Sequence, residues 1–317
     1  MPIRSLPHLH NTLFLTDGGL ETTLVFEHGV ALPHFAAFDL LRSAAGRTLL
    51  RDYYSSYAAL ANRHAVGFVL ESPTWRTSAD WGDRLGYSRE ELATANREAI
   101  GLMHEIRERF ETSESPFVIS GCVGPRGDGY AGESRMSAAD AADYHAPQIR
   151  TLRDAGAELI SALTIPSVAE AIGIGNAAAA ADIPSVISFT VERDGRLPSG
   201  ATLGEAITAI DAAATVPPAY YAINCAHPSH FESELTIGKI PVRRIRGIRA
   251  NASRCSHAEL DASPTLDAGE PAALGADYRR LRDRHPELTI LGGCCGTNER
   301  HLAAICTACL PLPAANF

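Results

Sequence analysis

No apolar run in the chain approaches the ~20 residues needed to cross a bilayer. The opening stretch from Met1 to His8 also lacks the continuous apolar core of a secretion signal. A cytoplasmic, reducing setting is therefore expected. Cysteine usage agrees, because seven is an odd number and two of them, Cys294 and Cys295, are adjacent. That pattern suits neither a disulfide framework nor a secreted chain. Basic charge is in short supply: 28 Lys and Arg against 37 Asp and Glu leave a net charge of −9. Nucleic acid and anionic membranes are not the expected partners. Arg243, Arg244, Arg246 and Arg249 lie close together and read as a solvated basic edge, with a local basic patch as the alternative. No G-x-G-x-x-G follows the first strand-like segment, which weakens a dinucleotide-binding reading. No linker or charge block divides the chain, and none of the 12 histidines has H-x-x-x-H metal spacing.

What is present is an ordinary globular composition, 45% hydrophobic and 21% charged, over 317 residues. That length allows one large barrel or two ordinary domains. Short, apolar, β-branched segments fall at 12–16, 67–71, 117–121, 158–163, 185–190, 220–224, 245–250 and 288–292. Longer amphipathic stretches separate them at 44–65, 88–110, 138–155, 168–181, 202–213, 270–284 and 299–309. Eight strands alternating with helices predict a (β/α)8 barrel rather than a doubly wound sheet. Ser88 followed by Glu90 and Glu91 predicts a helix start, as does Asn298 followed by Glu299. Residues 249–269 read as a long loop after the seventh strand, on the face where such barrels place their chemistry.

Three motifs carry chemistry. In Leu291-Gly292-Gly293-Cys294-Cys295-Gly296-Thr297 a strand ends, glycines turn the chain, two thiols project and a helix begins. Neighbouring cysteines rarely bridge each other, and the helix start favours thiolates. Asn224-Cys225 closes the sixth strand, whose end opens on the same barrel face as the eighth. Cys225, Cys294 and Cys295 can then converge as a three-thiolate site with an open fourth position, the pattern of catalytic zinc. For each cysteine alone, packing as a small apolar residue is the competing reading. The third motif, Thr16-Asp17-Gly18-Gly19-Leu20-Glu21-Thr22, offers backbone N–H groups for a carboxylate and an acid for an ammonium. A tight turn capped by Asp17 is the alternative.

Together these motifs resemble the homocysteine S-methyltransferase family. The resemblance covers nearly the whole chain and includes Asp17-Gly18-Gly19, Thr164-Ile165-Pro166-Ser167, Ser188-Phe189-Thr190, Asn224-Cys225 and Gly292-Gly293-Cys294-Cys295-Gly296. It implies one catalytic (β/α)8 barrel over residues 1–317, with Zn2+ on Cys225, Cys294 and Cys295 and a small-molecule thiol acceptor and methyl donor as partners. The acceptor site implied comprises Asp17, Gly18, Gly19, Glu21, Thr22, Glu71, Leu163 and Asn224. One of these departs from the family. Members commonly carry a glutamate directly before the segment matching Thr164-Ile165-Pro166, where it holds the substrate ammonium; here the position is Leu163. Either Asp17 and another acid such as Glu71 do that work, or the acceptor is not homocysteine. Residues 251–257 also look unlike the commoner members, which marks a divergent branch.

The implied chemistry needs no protein nucleophile. A metal-held acceptor thiolate attacks an activated methyl on a sulfonium or quaternary ammonium donor, giving methionine if the acceptor is homocysteine. Trp75, Trp81 and Tyr87 are candidate aromatic faces for such a cation, with packing as the alternative. The chain ends soon after the eighth unit, which leaves no room for a corrin or folate domain; nothing in the sequence indicates an oligomeric state. Transfer involving another thiol or thioether, and a non-catalytic metal- or ligand-binding barrel, are the competing functions. Cys122, Cys255, Cys306 and Cys309 read as packing or surface residues, and His227 and His257 as possible pocket residues only.

Overall fold

In the computed structural model, the residues described are 6–10, 12–130, 136–235 and 241–310. Eight parallel strands close on themselves in sequence order. They are β1 (Phe14–Leu15), β2 (Gly67–Glu71), β3 (Phe117–Val123), β4 (Leu159–Ile165), β5 (Ser185–Phe189), β6 (Tyr220–Asn224), β7 (Ile245–Ala250) and β8 (Ile290–Gly293). The helices that follow them are α1 (Ala44–Arg63), α2 (Arg89–Phe110), α3 (Ala138–Asp154), α4 (Val168–Ala180), α5 (Leu203–Ala213), α6 (Pro228–Phe231), α7 (Pro271–Arg284) and α8 (Glu299–Cys309). This is the (β/α)8 barrel that the alternation predicts. Among the described residues no helix is long and apolar enough to cross a membrane.

The helix starts follow from local chemistry. Ser88 and Glu91 form a reciprocal capping box at α2, and Asn298 caps α8 through the Arg300 N–H. The sequence pattern shows no helix after β6, and only the four-residue α6 stands there, with Pro228 at its start. The 249–269 loop is not wholly irregular, because Ser256 and Glu259 cap a short helix, His257–Asp261.

Strand alternation sorts side chains into two cores. The outward faces pack against the helices in one continuous cluster that includes Leu70, Ile119, Ile160, Ile187 and Ile223. Each fully buried aliphatic side chain there contributes about 1.5–3 kcal/mol. The inward faces form a smaller apolar plug: Leu6, Phe14, Val69, Val118, Leu159, Val186, Tyr220, Ala222 and Ile290. The buried His8 ring lies edge-on to Phe14 and Tyr220 and completes this floor. Above the plug the inward positions turn polar, with Glu71, Ser120, Ser161, Ser188, Asn224 and Arg249 all buried. The candidate site sits on this polar layer, at the C-terminal ends of the strands.

The expected solvated arginine edge is only partly correct. Arg243 is exposed, whereas Arg244 pairs with Asp211 at 2.9 Å and Arg246 donates to the Leu9 carbonyl at 2.9 Å. Arg249 lies inside the barrel, 8% exposed, because strand alternation turns it inward two residues after Gly247.

Candidate functional site

The sulfur atoms of Cys225, Cys294 and Cys295 lie within 4.8 Å of one another. Three thiolates on one zinc at ~2.3 Å would stand about 3.8 Å apart, so a small inward adjustment suffices. Among the described residues no fourth His, Cys, Asp or Glu joins the group, which leaves the open position that a catalytic site requires. The donor set, all thiols, also suits zinc.

Two strand ends are bent to make this convergence. Cys225 has φ 54° and Thr164 has φ 62°, left-handed conformations that are uncommon for residues with a Cβ. Asn224 stabilises both bends. Its Oδ1 accepts from the Thr164 N–H at 2.9 Å and the Ser188 hydroxyl at 2.7 Å, and its Nδ2 donates to Thr164 Oγ1 at 2.7 Å. The Thr164 hydroxyl in turn donates to Cys225 Sγ at 3.9 Å. Across the site, a Cβ on Gly292 would collide with Thr16 Oγ1, and one on Gly19 would meet the Cys294 carbonyl at 2.5 Å. The glycines thus let the β1 turn and the paired-cysteine turn press together, backbone against backbone.

The thiols are electrostatically unequal. Hydrogen bonds from Cys294, Cys295, Tyr130 and Thr164 hold the Cys225 thiol well below its usual range despite burial. Cys294 is pushed up to about 12, chiefly as the donor to Cys225, and Cys295 rises for the same reason. Tyr130, from the loop after β3, covers Cys225, and its ring packs on His257 at 4.1 Å between centroids. His257 bonds the Cys225 carbonyl, and its Nδ1 lies 3.2 Å from Glu192.

On the acceptor side the expected roles rearrange. Asp17 is 3% exposed and both of its oxygens are engaged. Arg249 Nη2 donates to Oδ1 at 2.7 Å and the Tyr53 hydroxyl donates to Oδ2 at 3.1 Å. Burial opposes the charge on Arg249, but Asp17 and Glu71 outweigh it and raise its pKa. Glu71 lies 4.0 Å from Arg249 and is itself sealed, its Oε2 buried without a hydrogen-bond partner. Asp17 and Glu71 therefore serve Arg249 here, not an open pocket. The Gly19 N–H donates to the Thr297 carbonyl at 3.0 Å, and Thr22 braces the turn by accepting from the Gly296 N–H at 3.1 Å. Gly18 bonds through its carbonyl, which accepts from Arg249 at 3.3 Å. Glu21 differs from its neighbours because it is only half-buried. Burial, then the nearby Cys294 and Asp17, push its carboxyl up to about 7. Leu163 is half-buried and, by alternation from Leu159 and Ser161, lies on the inward face of β4.

Each aromatic candidate for a donor cation already carries a guanidinium. The Arg76 guanidinium lies 3.9 Å above the Trp75 ring and 3.7 Å above the Trp81 ring. Arg84 lies 4.3 Å above Trp81. Two guanidinium groups cannot share one face at those distances, so Trp81 has no face left for a ligand. Tyr87 likewise carries Arg42 at 3.6 Å and donates to Asp39 at 2.6 Å. Cys306 and Cys309 are buried in the helix packing, Cys122 is buried at a lumen position, and Cys255 is half-buried in the β7 loop. His227 is buried outside the sulfur cluster, 3.6 Å from Asp277. The residues that sequence reading missed are Arg249, Tyr130 and Arg76. For Arg249 a signal existed, an arginine at an inward position of a strand; for the other two there was none.

Residues 14–309 match the family described as homocysteine S-methyltransferase. The chain is 26% identical to homocysteine S-methyltransferase 4 of Zea mays, an alignment covering 93% of this chain and 88% of that one. It is 24% identical to selenocysteine Se-methyltransferase of Brassica oleracea var. italica, covering 92% and 87%. Among solved structures it is similar to the homocysteine methyltransferase MmuM from Escherichia coli. The oxidized form gives a TM-score of 0.76 at 21% identity, covering 96% of this chain and 98% of that one. The metallated form gives 0.72 at 18%, covering 97% and 99%.

Proposed function

Starting from a chain that belongs to the homocysteine S-methyltransferase family and is therefore a methyltransferase, we propose that it binds zinc through Cys225, Cys294 and Cys295 and methylates homocysteine to methionine. The methyl donor in this reading is a sulfonium or quaternary ammonium compound. The observation that carries the proposal is the convergence of the three sulfurs within 4.8 Å at the ends of β6 and β8. Zinc bound there would lower the pKa of an acceptor thiol and supply its thiolate at neutral pH.

The chain's own groups do the rest. Asn224 holds the Thr164 hydroxyl at 2.7 Å, and that hydroxyl reaches the Cys225 sulfur at 3.9 Å. Glu21, beside Cys294 and half-open, is the acid available to the acceptor's ammonium, a role that neither Leu163 nor the sealed Asp17 can fill. Tyr130, packed on His257, covers the Cys225 sulfur and limits water there. The acceptor sulfur forms its new bond to carbon in line with the bond that breaks. The electron pair of the donor's C–S or C–N bond stays on the leaving heteroatom, which departs neutral.

The test is zinc content together with methionine formation from homocysteine and S-methylmethionine, S-adenosylmethionine or betaine. One zinc per chain and turnover with at least one donor are expected, and Cys294→Ala should lose both. Full zinc in Cys294→Ala overturns the ligand assignment. Stoichiometric zinc without methylation by any of these donors overturns the function and favours a ligand-binding barrel.

A further inference from the structure

Cys225 leaves the barrel ladder abruptly. Its N–H still donates to the Arg249 carbonyl of β7, at 3.2 Å. A regular parallel pair would continue with the Asn251 N–H donating to the Cys225 carbonyl. Instead the Asn251 N–H goes to the Ala226 carbonyl, at 3.1 Å, and the left-handed backbone at Cys225, φ 54°, accompanies the skip. The Cys225 carbonyl is thus left with no backbone donor among the described residues, inside the protein, where an unpaired acceptor is costly. His257 supplies the missing partner, because its Nε2 bonds that carbonyl. A carbonyl can only accept, so Nε2 is the donor.

The imidazole is itself held in place. Its Nδ1 lies 3.2 Å from the Glu192 carboxylate, on the loop after β5. The next residue of that loop, Arg193, donates to the Arg254 carbonyl at 3.3 Å and lies 3.4 Å from Glu259, so it grips the chain on either side of His257. His230 of α6 also bonds the Arg254 carbonyl, at 3.0 Å. These ties fasten the short helix that carries His257 to the loops after β5 and β6. The ring packs on Tyr130, whose hydroxyl hydrogen-bonds Cys225 Sγ. His257 therefore meets Cys225 at both ends, its carbonyl directly and its sulfur through Tyr130.

We propose that His257 is a positioning residue for the three-sulfur site: by holding the Cys225 carbonyl it fixes the direction of that side chain, and by backing Tyr130 it keeps the sulfur covered. The assignment rests on the zinc-binding reading above. The other two cysteines do not need such a strut. The Cys294 carbonyl accepts from the Thr297 N–H at 3.0 Å, and the Cys295 carbonyl from the Ala252 N–H at 3.0 Å. Backbone bonds at the mouth of the barrel set those two, whereas Cys225 is set by a side chain from a neighbouring loop. Groups that orient a metal ligand in this way govern how tightly the metal is held.

The test compares zinc-loaded wild type, His257→Ala and His257→Gln by competition with a chromophoric chelator. His257→Ala should bind zinc more weakly by a factor on the order of 10 to 100. A glutamine amide can donate to the same carbonyl, so His257→Gln should recover most of that loss. With cobalt in place of zinc, the visible absorption of His257→Ala should shift, and that of His257→Gln should match wild type. A further readout needs neither metal nor turnover. In the metal-free proteins, iodoacetamide should label Cys225 faster relative to Cys294 in His257→Ala than in wild type, as read by peptide mass spectrometry. Equal zinc affinity in all three proteins, or an equal loss in both variants, overturns the assignment and leaves His257 as a loop-packing residue. If His257→Ala fails to fold, Glu192→Ala decides by the same competition: weaker zinc binding supports the assignment and unchanged binding overturns it. A wild type that takes up no zinc overturns the metal reading itself. In that case faster Cys225 labelling in His257→Ala still supports His257 as the residue that positions Cys225, and equal labelling overturns that too.

Discussion

Replacing Arg249 by Met should destabilise the protein in a pH-dependent way. The guanidinium is 10% exposed and its partner Asp17 is 4% exposed at the side chain, with 2.7 Å between them. Removing one member of such a pair leaves a charge buried without compensation, at a cost of about 3–5 kcal/mol. For a chain longer than 250 residues, at roughly 2 °C per kcal/mol, this lowers Tm by about 6–10 °C. Burial already pushes the Asp17 and Glu71 carboxyls up, and Arg249 is the largest influence pulling each of them back down. Without it their folded pKa values rise further above the unfolded values. The folded variant then holds more protons than the unfolded chain, so its stability falls as pH rises from the unfolded carboxylate range toward the folded pKa. The loss relative to wild type should accordingly be smaller at pH 5 than at pH 8. Asp17→Asn combined with Arg249→Met removes both charges and should recover part of the stability. Thermal unfolding of the four proteins at both pH values checks this. A deficit of under about 1 kcal/mol, equal at pH 5 and pH 8, would show that water reaches Asp17 and that the desolvation argument is wrong.

Two further substitutions separate the acids of the acceptor side. Glu21→Gln should raise the homocysteine KM by a factor on the order of 10 to 100 through loss of one charge-assisted hydrogen bond, with Tm nearly unchanged because Glu21 is half-open; an unaltered KM removes Glu21 from the site. Leu163→Glu should improve kcat/KM for homocysteine relative to a thiol lacking the amino group. If the native protein already prefers homocysteine strongly and the variant only loses activity, Glu21 alone suffices and the leucine is a packing residue.

The barrel was legible because its strands are short apolar runs with turn residues between them, and each expected strand is found within a few residues of its place. The cysteines were legible because a paired-thiol turn and an Asn-Cys strand end both fall on the mouth of any such barrel. The charge network was not. Asp17 and Arg249 are 232 positions apart, and nothing local to Asp17 reveals that its oxygens are taken. The same holds for Trp75 and Trp81. Their composition advertises aromatic faces, but only the three-dimensional placement of Arg76 and Arg84 shows those faces covered. The 249–269 segment was readable as a loop, whereas its Ser256–Glu259 cap needed the register of the short helix to be recognised.

The apolar plug under the site also bears on kinetics. With Phe14, Val69, Val118, Leu159 and Ile290 closing the floor, and the His8 ring packed edge-on to Phe14, the lumen is stopped at its lower end among the described residues. Anything that reaches the sulfurs must pass the mouth lined by Tyr130 and Trp75. For the methyl-transfer reading this imposes a queue: the acceptor, whose sulfur must lie deepest, boards first, and the donor comes in above it. The demethylated donor then has to leave before the methylated acceptor can. A strictly ordered steady-state pattern follows, with the spent donor behaving as the first product released.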